Sequence, residues 1–127
     1  METNYQDRFA ALGASDRRLL VAISAVSLVA LALGILGGVL TALARGGLID
    51  MIPNTGYRFL TVHGVSIFFY WLFVAQAALL LGFSAVENGG GLVRRRLAWT
   101  GFGLMLAGFV FSMGGAHMGL PLLYDGA

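Results

Sequence analysis

The chain has 127 residues, 58% hydrophobic and 11% charged, with mean hydropathy +0.84 and formal net charge +2. Soluble domains carry about a quarter charged residues, so this composition suits lipid. The lack of cysteine excludes disulfides, thiolate zinc and iron–sulfur clusters, and the arginines sit in connections rather than in a basic patch, so no nucleic acid is expected as a partner.

Residues 1–18 read as a cytoplasmic N-terminal arm, in which Ser15-Asp16 is expected to cap a helix start and Phe9-Ala10-Ala11-Leu12 to lie along the membrane surface. Three uncharged stretches follow, Leu19–Ala44, Phe59–Val86 and Leu97–Tyr124. Each exceeds the roughly 20 residues that cross a bilayer, and backbone groups in hydrocarbon must bond internally. The expected fold is an all-α membrane protein, one unit over residues 19–127 with three transmembrane helices near 19–44, 58–86 and 97–122. A closed barrel would need many alternating segments of about ten residues, which the sequence lacks.

Asp16-Arg17-Arg18-Leu19-Leu20 faintly suggests a twin-arginine signal and Ala42-Leu43-Ala44 a cleavage site. The apolar run between them is about twice the length of a signal core, so a retained helix is expected. Gly46-Gly47 should end it, and the turn Pro53-Asn54-Thr55-Gly56 should lead into the second helix. The loop Glu87–Gly91 is a tight reversal. Arg8, Arg17 and Arg18 precede the first span and Arg94, Arg95 and Arg96 precede the third, whereas Arg45 and Arg58 lie at the other end. The positive-inside rule then puts the N-terminus in the cytoplasm and the C-terminus outside, in a bacterial or archaeal cytoplasmic membrane.

Glycines spaced along a helix let backbones approach. Gly101, Gly108 and Gly115, with Gly103, Ala107 and Gly114, are expected to pack closely; for Gly34 and Gly38 the spacing decides nothing.

His63 is the residue that raises a chemical question. It lies five residues after Arg58, about 7–8 Å inside its helix, with Ser66, Ile67 and Tyr70 expected on the same face. Gly64 leaves room beside the ring. Two readings are open from spacing: a histidine hydrogen-bonded across helices or at the interface, and an axial ligand of a porphyrin whose second nitrogen donates to a carbonyl or hydroxyl.

The stretch Tyr57–Gly64, YRFLTVHG, resembles the second-helix signature of the heme-copper oxidase large subunit, and Phe68-Phe69-Tyr70-Trp71 follows as it does in that family. Phe73-Val74-Ala75-Gln76-Ala77 is most similar to the B-type branch, and the resemblance covers roughly residues 20–124. It implies that His63 is one axial ligand of a low-spin heme. Beside such a group Gly64 leaves space, Tyr70 is expected either at the macrocycle edge or in ordinary core packing, and Arg45 and Arg58 either as partners of the propionates or as snorkelling anchors at the interface. The family has about twelve helices and this chain three, so the remaining metal ligands must come from elsewhere, and only Pro121 stands where the family has paired prolines.

The resemblance therefore implies the N-terminal piece of a split oxidase subunit. Its partners would be other integral membrane subunits and an outer-side electron donor such as cytochrome c or a cupredoxin, in addition to the lipid bilayer. It would not be catalytic alone. A nitric oxide reductase-like complex shares this histidine. A heme-free structural or assembly subunit is the reading of a different class. His117, at similar depth, is expected to make an interfacial or propionate-side contact, because packed helices about 8–10 Å apart leave little room for a porphyrin between two histidines. Gln76 should act as interhelical glue, Met105, Met113 and Met118 as filling, and no carboxylate is expected inside a span.

Overall fold

The computed structural model describes residues 5–89 and 91–117. A short helix α1 (Tyr5–Ala10) precedes α2 (Ala14–Arg45). The second long helix is continuous but built in three parts: α3 (Pro53–Gly64), a π-helical segment (Val65–Phe73) and α4 (Val74–Glu87). The last element is α5 (Arg95–His117). The fold is all-helical, and three helices are long and apolar enough to cross a membrane: Ala14–Arg45, Thr55–Glu87 and Arg95–Gly115. The expected extension of the third helix from Met118 to residue 122, and Pro121 with it, lies outside the described residues.

The helix ends follow local chemistry. At the end of α2, Gly47 has φ +75° and the Leu48 and Gly47 N–H groups donate to the Leu43 and Ala44 carbonyls at 3.0 and 3.2 Å. This six-to-one and five-to-two pair is a Schellman closure, which needs a left-handed residue that glycine supplies without strain. Pro53 occupies the first turn of α3, so the expected Pro53–Gly56 turn is in fact the helix's opening turn, where proline's missing N–H costs nothing.

The start of α2 differs from expectation. Gly13 precedes it without a side-chain cap, and Ser15 and Asp16 lie inside the first turn. Both face α5 instead. Asp16 is fully buried and accepts from Arg95 Nε at 2.5 Å, Arg95 Nη2 at 3.2 Å and the Leu92 N–H at 3.1 Å. Ser15 Oγ accepts from Trp99 Nε1 at 3.1 Å. A carboxylate thus sits in the first turn of α2, three residues before the uncharged stretch that starts at Leu19.

Along α2 the buried positions Asp16, Leu20, Ile23, Ser27, Ala30, Gly34, Gly37 and Thr41 recur at alternating steps of four and three. That is a single seam of about 3.5-residue period, the pattern of helices packed lengthwise. Its two halves differ in chemistry. Toward the arginine-rich end, Leu19, Ile23 and Val74 form a core with Tyr70, Trp99, Phe102 and Met105 around it, and Leu12 joins Leu20, Ala85 and Val86. Leu12 is therefore buried against the bundle, while Phe9 is 39% exposed. Toward the other end the seam consists of small residues, and α3 comes close enough to touch the α2 backbone.

Candidate functional site

The close approach is set by three glycines. A Cβ on Gly37 would stand 2.9 Å from the Phe59 carbonyl oxygen and 3.2 Å from the His63 nitrogen; one on Gly34 would stand 2.5 Å from Ile67 Cδ1. A Cβ on Gly38 would meet the His63 ring itself, 2.7 Å from Nδ1 and 2.9 Å from Cε1. The imidazole thus occupies a notch in α2 that only glycine can form. The glycines of α5 behave otherwise: Gly101, Gly103 and Gly114 have no heavy atom within 4 Å of such a Cβ, and Gly108 meets only the Tyr70 hydroxyl at 3.0 Å. Among these described glycines the close packing within the chain belongs to the first helix and not, as expected, to the third.

In the notch, His63 Nδ1 lies 2.7 Å from the Gly34 carbonyl oxygen. A carbonyl only accepts, so Nδ1 carries the hydrogen, and in the neutral ring the lone pair is left on Nε2. Among the described residues Nε2 has no hydrogen-bond partner and no buried side-chain nitrogen or oxygen is unpaired, so Nε2 is not sealed inside the bundle. One nitrogen held by a backbone carbonyl and the other exposed as a base is the arrangement that metal-ligating histidines use. The donor chemistry therefore fits an axial ligand. No group of three or more metal-ligating side chains occurs among the described residues, so a metal held by the protein alone is not indicated there.

The other expected site residues are dispersed. Gly64 follows His63 and joins α3 to the π-helical segment. Ile67 packs with His63 on α2, but Ser66 is buried toward α5, its hydroxyl 3.6 Å from Met113 Sδ. Tyr70 also meets α5, with its ring centroid 4.6 Å from that of Phe109. Tyr70 is thus part of the core between the second and third helices rather than a neighbour of the imidazole.

Arg58 is half-buried near the start of α3. Arg45 is exposed at the end of α2, seven residues past Gly38 and so about 10 Å from the notch along the axis. It lines a cleft of about 220 Å³ between the end of α2 and the start of α3, together with Thr41, Ala44, Met51, Ile52, Pro53, Gly56, Tyr57 and Leu60. His117 closes α5 as a backbone position, and its side chain lies outside the described residues.

Sequence reasoning missed Asp16, whose legible signal was an acid at one helix start and three consecutive arginines at another, on the same end of the bundle. It also missed the π-helical turns, for which the aromatic and β-branched run VSIFFYWLF was the only hint. Compared with family models, curated proteins and solved structures, the chain matches none.

Proposed function

We propose that the chain is a membrane electron-transfer component, the N-terminal part of a split heme-copper-type oxidase large subunit, with His63 supplying one axial ligand to a low-spin heme. The observation that carries the reading is the 2.7 Å contact between Nδ1 and the Gly34 carbonyl, which fixes the tautomer and leaves Nε2 as the ligating atom. A bound heme would supply reversible one-electron chemistry, its potential tuned by the axial ligand and its hydrogen bond. The chain's own contribution is to hold the imidazole: Gly38 lets the ring lie against α2, the Gly34 carbonyl accepts the hydrogen bond from Nδ1–H, and Gly64 follows it on α3. The second axial ligand comes from another subunit. Gln76 supports such a partner, since it is exposed on α4 about 16 Å from Glu87, at a depth where an amide needs a hydrogen-bonding neighbour. On this reading the N-terminus faces the cytoplasm and the electron donor, a cytochrome c or a cupredoxin, docks outside.

The interhelical hydrogen bond also favours a second reading, in which His63 is only a fastener and the chain is a heme-free structural or assembly subunit; a nitric oxide reductase-like complex would instead keep His63 as the heme ligand of the first reading. The reduced-minus-oxidised spectrum of the complex purified in mild detergent separates heme binding from its absence. Under the first reading His63→Ala abolishes a low-spin heme band and His117→Ala spares it. A complex with no such band, or a band that survives His63→Ala, ends the ligand assignment.

A further inference from the structure

A second site lies at the opposite end of the seam from the arginine cluster. The cleft of about 220 Å³ is lined by Ala44, Met51, Ile52, Pro53 and Leu60, with Arg45 and Tyr57 among its polar lining residues. No hydrogen bond or ion pair engages Arg45 among the described residues. Thr41, the other hydroxyl there, is already committed to the Gly37 carbonyl at 2.8 Å. Asp50, the acid of this connection, is exposed and takes no part in the lining.

The surroundings indicate the medium. Leu48 and Ile52 in the same connection are 76% and 69% exposed, so apolar side chains of the loop project into whatever surrounds it. The cleft lies where the apolar runs of α2 and α3 end, at the level where a bilayer changes from hydrocarbon to headgroup. A cationic fork and a phenol in an apolar lining match an anion attached to an acyl chain. The volume holds a headgroup and its first carbons rather than a whole lipid, the remainder lying along the helices.

We propose that this cleft binds a phospholipid, its phosphate diester on Arg45 and Tyr57 and the start of a chain over Ile52 and Leu60. Phosphate suits a guanidinium because two parallel N–H donors meet two oxygens. Free phosphate shares that chemistry but leaves the apolar lining without a partner.

The test is native mass spectrometry of the purified chain in mild detergent, titrated with phosphatidylglycerol and, separately, with inorganic phosphate. One phosphatidylglycerol per chain is expected to be retained, and inorganic phosphate is not. Arg45→Gln should weaken retention about fivefold, the factor for one basic residue at an anionic surface, while Arg45→Lys keeps most of it and Arg96→Gln, at the other end, keeps all. Gly56→Leu fills the cleft and should abolish retention with Arg45 intact; a Cβ there meets only Met51 Sδ at 3.9 Å, so the helix accepts it. His63→Ala should retain the lipid, which separates this site from the heme reading. Equal retention by wild type and Arg45→Gln overturns the proposal, as does inorganic phosphate binding as tightly as the lipid.

Discussion

At Gly37 and Gly38 adjacent residues face different kinds of neighbour, and the difference predicts different costs. A methyl on Gly37 meets backbone atoms of Phe59 and His63, which cannot swing aside, so the helices must separate. Gly37→Ala is expected to destabilise by about 1–3 kcal/mol, the range for overpacking. The nearest atoms to a methyl on Gly38 are those of the imidazole, which can rotate, at the cost of its bond to Gly34. Gly38→Ala should therefore lose about 1 kcal/mol, the net worth of one hydrogen bond, and should also shift any His63-dependent heme band. Gly101→Ala and Gly103→Ala enter open space and should be neutral or stabilising by up to about 1 kcal/mol. Thermal unfolding in detergent ranks the four, and a Gly37→Ala protein as stable as Gly103→Ala would contradict the close contact. The repeated glycines of α5 were conspicuous in the sequence, yet spacing records only that two backbones are able to approach. Which neighbour comes near is decided by how the second helix turns.

That turning is a property of the element. On regular turns, His63 and Tyr70, seven residues apart, share a face. Between Val65 and Phe73 the turns are π-helical, closing to the fifth residue, so each residue advances by about 80° rather than 100°. Counted this way, Ile67 lies directly behind His63, while Ser66 and Tyr70 are rotated by about 80° and about 120° from it. This is the observed division, with His63 and Ile67 against α2 and Ser66 and Tyr70 against α5. The candidate ligand was legible because its identity and depth do not depend on helix phase; the residues sharing its face were not, because they do. The contact that results is testable as a pair. Gly108→Ala would push on the Tyr70 hydroxyl, 3.0 Å away, and Tyr70→Phe removes that oxygen. The double variant should recover about 1 kcal/mol relative to the sum of the singles, the coupling of residues in contact. Strict additivity would mean that Tyr70 does not bridge the second and third helices.

For the whole molecule, the ends of the helices matter as much as the spans. The three spans were legible because about 20 uncharged residues have few other fates, whereas the helices that carry them begin further out, at Ala14, Pro53 and Arg95, because charged and turn-forming residues also fit a helix's first turns. Asp16 and Arg95 instead join the first and third helices at one end, and Arg8 approaches Glu87 at 3.9 Å beside them. Of the three consecutive arginines, only Arg95 has this buried partner among the described residues. Arg95→Gln is therefore expected to lower the thermal unfolding temperature in detergent, less than loss of a fully buried pair would because the arginine is half exposed, while Arg94→Gln and Arg96→Gln change little. The same cluster carries the orientation. Six arginines, at positions 8, 17, 18, 94, 95 and 96, share one end, and Arg45 and Arg58 share the other. Translocating the first set across a membrane opposes the bias that sets topology, so the arginine-rich end should remain in the cytoplasm. A chain without native cysteine permits a direct test by single-cysteine labelling. Leu48→Cys, exposed in the connection after α2, should react with an impermeant maleimide added to intact cells, and Asn88→Cys, exposed at the arginine-rich end, should react only after the membrane is opened. The reverse pattern would place the His63 end of the bundle in the cytoplasm, and an outer-side electron donor could then no longer serve it.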